Sequence, residues 1–208
     1  MTKQIYSLGA VLFISFFLSC KHEKKETNQN NQPVVIKLKS RSLVYGIDIS
    51  HYQNNEVDFI SKNLDSLSFV IWKATEGVTY TDLQFSKNRK VIKEPSFIRG
   101  AYHFYHSKDD LLAQAAHFVN TITNLEKTDI PLVIDFEQGG IDASQSVDEI
   151  QSVLKIFMNE VQKKSNRKPI IYRDLYTGNK YLKSTYFSNY ALWIANYNGK
   201  KFPIILDT

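Results

Sequence analysis

Residues 131–137 read Pro-Leu-Val-Ile-Asp-Phe-Glu, an apolar run of strand type that ends in two carboxylates spaced i, i+2. In an extended strand such positions point to the same face. Ionisable side chains at the end of a buried run are costly unless they are solvated or used, which sets Asp135 and Glu137 at the rim of a cleft. Two carboxylates converging there, one holding a proton and the other charged, are the equipment for glycoside hydrolysis. Same-face residues lie about 6.5–7 Å apart at Cα. That spacing does not fix the distance between the carboxylates, so inversion and retention both stay open.

The pattern recurs. Val44-Tyr45-Gly46-Ile47-Asp48-Ile49-Ser50 is a second apolar run with an acid near its end, and Phe69-Val70-Ile71-Trp72-Lys73-Ala74-Thr75-Glu76-Gly77 is a third. Where strands alternate with helices in a barrel, residues at the carboxyl ends of the strands build the active site, so acids at three strand ends have a geometric explanation. Asp48 is the next candidate after the Asp135–Glu137 pair. Glu76 belongs to the same rim but reads equally as a turn stabiliser beside Gly77. His103 and His106, spaced i, i+3 in a strand-type run, do not share a strand face, and no Cys or His partner stands at metal-ligand spacing. No metal or cofactor is expected, and His51 reads as a rim or structural residue.

The elements that must hold these side chains alternate in type. Strands are expected over Val44–Ile49, Phe69–Thr75, Phe97–Tyr105, Leu132–Glu137, Ile170–Tyr172 and Ala191–Ala195, and helices over Leu111–Ile122 and Val147–Lys163, with a shorter candidate over Glu56–Leu64. Ser146 before Val147, with Glu149 three positions later, is a capping-box signature. Strands alternating with helices imply parallel pairing through right-handed crossovers. The expected class is therefore α/β, a TIM-like (β/α) barrel. Its six strands fall short of the roughly eight of a closed barrel.

Five motifs in order sharpen this reading. Gly46-Ile47-Asp48-Ile49-Ser50, Lys73-Ala74-Thr75-Glu76-Gly77, Gly100-Ala101-Tyr102-His103-Phe104, Asp135-Phe136-Glu137 and Leu192-Trp193-Ile194-Ala195-Asn196-Tyr197 resemble glycoside hydrolase family 25, the lysozymes called N-acetylmuramidases. The resemblance covers about residues 43–197. It implies hydrolysis of the β-1,4 bond between N-acetylmuramic acid and N-acetylglucosamine in peptidoglycan glycan strands, by a monomer without a cofactor. Glu137 matches the family's general acid, and Asp135 and Asp48 match its other strand-end acids. Tyr172, Trp193 and Tyr197 fall where aromatic walls for the glycan are implied, with Glu76 and Tyr102 as weaker substrate-binding positions. The family pattern continues with two more strands, the last bringing another acid. Residues 43–208 are thus expected to form a catalytic domain incomplete at its C-terminus, with an open seam. The competing expectation is a glycan-binding remnant without turnover.

Composition fits a globular enzyme with appendages. The 208 residues are 43% hydrophobic and 13% aromatic, with a formal charge of +5. Dropping residues 1–19, whose basic residue is Lys3, leaves 25 basic residues against 21 acidic ones, or +4. With no basic stripe among the motifs, this suits mild attraction to an anionic wall or membrane and not a nucleic-acid partner. Lys3, the apolar run Ile5–Leu18 and Ser19 before Cys20 read as a lipoprotein-type signal peptide over 1–19, its run too short to span a bilayer. Cys20 is the chain's one cysteine and the expected lipidation site, which places the protein in the cell envelope, anchored to a membrane. Polar residues 20–42 read as a flexible tether.

Overall fold

The computed structural model describes residues 45–53, 67–87, 98–122 and 125–195. The expected helix over Glu56–Leu64, the signal peptide, the tether, Cys20 and Tyr197 lie outside the described residues. The strands are β1 (Gly46–Ile49), β2 (Phe69–Glu76), β3 (Tyr80–Thr81), β4 (Ile98–Phe104), β5 (Val133–Asp135), β6 (Ile170–Asp174) and β7 (Leu192–Ala195). The helices whose bounds lie within the described residues are α1 (Leu111–Thr121), α2 (Val147–Ser165) and α3 (Leu175–Tyr181).

Six strands pair in parallel in the order β1-β2-β4-β5-β6-β7, and the short β3 folds back antiparallel on β2. All six expected strands are present and parallel, as the alternating pattern required. The sheet curls into a half-barrel, and residues of alternating parity on its strands separate into two cores. Phe69 and Ile71 of β2 meet Val133, Ile170 and Trp193 inside the curl. Val70, Trp72 and Ala74 point the other way and pack with Ile134, Ile171 and the buried faces of the helices. That outer core is the larger one. It takes Ala115 and Phe118 from α1 and Ile150, Leu154, Phe157, Met158 and Val161 from α2. Among the described residues, β1 and β7 are the two edges of the sheet.

Local chemistry sets the helix ends. Asp110 caps α1 by accepting the Ala113 N–H at 2.9 Å. The expected capping box opens α2, with the Glu149 N–H donating to Ser146 Oγ and the Ser146 N–H donating to Glu149 Oε2 at 2.7 Å. Asn166 closes α2 in the left-handed region at φ 55°, a conformation that asparagine tolerates better than most residues. The helix α3 was not expected, since a glycine sits in the middle of its seven residues. Asp174 starts it by accepting the Thr177 N–H at 2.9 Å.

His103 lies on the outer face of β4, fully buried between the sheet and α1. Its Nε2 is 2.8 Å from Gln114 Oε1 and its Nδ1 is 2.8 Å from Thr75 Oγ1. An amide oxygen only accepts, so Nε2 carries the proton and Nδ1 accepts from Thr75. Burial lowers the imidazole pKa to about 3, so His103 is a neutral structural link. The same Gln114 clamps the loop after β4, accepting the His106 N–H at 2.8 Å and donating to the His106 carbonyl at 3.0 Å.

Candidate active site

Because the strands are parallel, their carboxyl ends share one mouth, and the strand-end acids collect there. Asp135 is the last residue of β5, in register with Phe104 of β4 and Tyr172 of β6. The ladder continues one residue further, where the Phe136 N–H donates to the Tyr172 carbonyl at 2.9 Å. Glu137 keeps an extended backbone, φ −121° and ψ 161°, so the i, i+2 reading holds and both carboxylates face the same side. They line an open cleft with Asp48, Tyr102, Val133, Tyr172 and Trp193. Tyr172 and Trp193 meet edge to face, with ring centroids 4.7 Å apart.

Burial distinguishes the two carboxylates in a way the sequence did not. Asp135 is buried, and one of its oxygens has no hydrogen-bond partner. Burial pushes its pKa well above the usual carboxylate range, Glu137 and Asp48 push it further, and the Lys73 ammonium opposes them. Glu137 is half-buried. Its pKa is also raised, first by burial and then by the charges of Asp174 and Asp48, against a hydrogen bond from the Tyr172 hydroxyl. Both carboxyls are held above the usual carboxylate range, and the pair titrates as a unit.

The other expected site residues divide. Asp48, Tyr102, Tyr172 and Trp193 are in the cleft wall. Tyr102 stays a neutral hydroxyl, because burial and then Asp135 and Asp48 raise its pKa, opposed by a hydrogen bond with Ser50. Glu76 sits beside the cleft, not in its wall, accepting from Lys73 Nζ at 2.6 Å and lying 3.1 Å from His106 Nε2. Gly77 follows it at φ 52°, so the turn reading of this dipeptide describes its backbone. His51, in the turn after β1, pairs with the buried Asp82, and Tyr105, the neighbour of opposite parity to Tyr102, is fully buried in the outer core. Among the described residues no three His, Cys, Asp or Glu side chains gather as a metal site.

Two residues near the site were missed. Lys73 is 6% exposed, ion-paired with Glu76, and its ammonium lies 5.4 Å from the Phe104 ring centroid. Its signal was a charge inside an otherwise apolar strand run, which is costly without a partner. Asp174 ends β6 two residues beyond Tyr172, and its Asp-x-x-Thr spacing is an N-cap signature that would have flagged it.

The loop that carries Glu137 is held by a close backbone contact. The Gly140 N–H donates to the Glu137 carbonyl at 3.0 Å, and Ser107 N–H donates to the Gly140 carbonyl at 2.8 Å. A Cβ on Gly140 would lie 1.9 Å from the Tyr105 carbonyl oxygen. Gly140→Ala must therefore push apart the loops that follow β4 and β5. It is expected to cost about 1–3 kcal/mol, read as a lower midpoint in urea unfolding.

The family model described as Glycosyl hydrolases family 25 matches residues 47–205. The chain belongs to that family. It is 31% identical over 167 residues to the uncharacterized protein YegX of Escherichia coli, covering 78% of this chain and 59% of that protein. It is 34% identical over 157 residues to the autolytic lysozyme of Clostridium acetobutylicum, covering 75% of this chain and 46% of that one. The chain thus spans about half the length of the curated relatives it matches. Among solved structures it resembles the muramidase from Acremonium alcalophilum, with a TM-score of 0.67, 28% identity, and 76% and 80% of the two chains covered. The half-barrel and its parallel strand order are therefore those of a family 25 fold, as the five motifs implied.

Proposed function

We propose that this family 25 protein is a peptidoglycan hydrolase of muramidase type, cleaving the β-1,4 bond between N-acetylmuramic acid and N-acetylglucosamine. The observation that carries the reading is the convergence of Asp135, Glu137 and Asp48 in one cleft walled by Tyr102, Tyr172 and Trp193. Family membership and relatives named lysozyme and muramidase support it. A cleft that only bound glycan would have no use for a buried carboxylate pair whose charged forms are disfavoured, so the enzyme reading is preferred to the binding remnant.

Glu137 is the more exposed member of the pair and delivers the shared proton. The proton passes to the glycosidic oxygen as the bond from that oxygen to C1 breaks. The carbonyl oxygen of the substrate N-acetyl group closes on C1, while the Asp135 carboxylate orients the amide and balances the positive charge. Water then opens this ring, bonding to C1 and returning a proton to Glu137. Asp48, in the same cleft wall, adds like charge near Asp135 and so favours the pair's retained proton. The test is to incubate the protein with purified peptidoglycan and identify the new reducing ends. N-acetylmuramic acid there is the expected result, whereas N-acetylglucosamine ends or no new ends would contradict the assignment.

The proposal extends to location. Lys3, the apolar run and Cys20 support export and lipid anchoring in the cell envelope, with residues 20–42 as a tether that lets the catalytic domain reach the wall. Cys20→Ala is expected to abolish labelling by a radioactive or alkyne fatty acid and to release the protein from the membrane fraction. Absence of lipid label on the parent protein would remove the anchor from the account.

A further inference from the structure

Just past β1, the strand that brings Asp48 to the cleft, stands an aromatic platform that none of the roles above uses. Past β1 the chain turns through one 3-10 turn, His51–Gln53. The Tyr52 residue there is 76% exposed, and its ring centroid lies 3.9 Å from that of His51 with 38° between the planes. An exposed tyrosine by itself is ordinary. The support beneath this one is not. Asp82, 3% exposed, accepts both the His51 backbone N–H at 3.0 Å and the ring Nδ1–H at 2.7 Å on Oδ2, and the Gln84 N–H at 2.9 Å on Oδ1. The Tyr80 hydroxyl lies 3.0 Å from the same Nδ1. A buried carboxylate is therefore committed to holding an imidazole whose visible work is to carry one face of Tyr52.

The platform is tied to the cleft. The Tyr52 N–H donates to Ser50 Oγ at 3.4 Å, the Ser50 hydroxyl hydrogen-bonds Tyr102 of the cleft wall, and Asp48 lies four residues back on the same segment. In the strand order it stands at the β1 edge, away from the Tyr172–Trp193 wall of β6 and β7. A ring held in place before binding presents its open face with little ordering cost left to meet. The partner it suits is the apolar face of a pyranose, since tyrosine offers area and a polar edge together.

We propose that Tyr52, seated on His51, is a distal subsite that stacks a further pyranose ring of the glycan strand, beyond the two sugars flanking the scissile bond. The inference rests on the muramidase reading. It is tested by calorimetric binding of alternating N-acetylglucosamine–N-acetylmuramic acid oligomers of two, four and six sugars to the Glu137→Gln protein, with and without Tyr52→Ala or Tyr52→Phe. Tyr52→Ala is expected to weaken six-sugar binding about tenfold and to leave two-sugar binding unchanged, while Tyr52→Phe keeps the ring and the affinity. Equal binding by parent and Tyr52→Ala at every length, an equal loss at every length, or a Phe variant as weak as Ala would overturn the subsite. If the Tyr52-containing protein bound none of the oligomers, the glycan reading itself would fall and the subsite with it. Because Tyr52 is exposed, neither substitution threatens the fold, which circular dichroism of each variant checks.

Discussion

Glu137→Gln is expected to reduce turnover on peptidoglycan by about a hundredfold or more, the usual cost of losing a positioned general acid. The substitution keeps the side chain's size and its reach toward Tyr172 but leaves no ionisable proton to deliver. Glu137 is half-buried in the cleft wall, and its backbone is held by strand and loop hydrogen bonds that the side chain does not make. Substrate affinity is therefore expected to stay close to that of the parent, and the thermal midpoint is not expected to fall, since the raised pKa of Glu137 makes its charged form a cost to the fold at neutral pH. Near-parental turnover by a folded Glu137→Gln protein would take this residue out of the mechanism.

Asp135→Asn is expected to be as damaging to activity and opposite in sign for stability. The folded protein holds the Asp135 proton more tightly than an ordinary aspartate of pKa 3.8, because the carboxyl is buried and Glu137 adds like charge. The folded state thus binds more protons than the unfolded chain above that ordinary value. Stability contributed by this group is present at low pH and is lost as pH rises through the elevated folded value. A neutral amide escapes that loss. Asp135→Asn should melt higher than the parent at neutral pH, with the advantage shrinking as pH falls toward 3.8. Thermal melts across that range check it, and a lower midpoint at pH 7 would mean that the carboxylate is a net stabiliser of the fold. Such an exchange of stability for function is what a site built for chemistry shows.

The parts of this molecule legible in the sequence were those fixed by local pattern. Apolar runs of strand length predicted β1, β2, β4, β5, β6 and β7, and the period-two geometry correctly put Asp135 and Glu137 on one face. The Ser146–Glu149 box marked the start of α2 to the residue. What escaped depended on contacts distant in sequence or on elements too short to show a period. The two residues of β3 carry no alternation to read, and α3 hides behind Gly178, whose missing side chain makes room for the Arg173 guanidinium. The partnership of His51 with Asp82 joins residues 31 positions apart. The deeper burial of Asp135 relative to Glu137 was equally out of reach, because parity gives direction and not depth.

The claim on which the mechanism turns is that Asp135 and Glu137 together retain a proton where ordinary carboxyls have lost theirs. Carbon-13 NMR of the labelled side-chain carboxyls, followed through a pH titration and assigned with the Asn and Gln variants, reads it directly. The pair is expected to release its last proton well above the ordinary values of 3.8 and 4.5, and Glu137→Gln and Asp135→Asn are each expected to alter the titration of the remaining carboxyl. Two independent transitions at those ordinary values, each unmoved by substitution of the other residue, would contradict it.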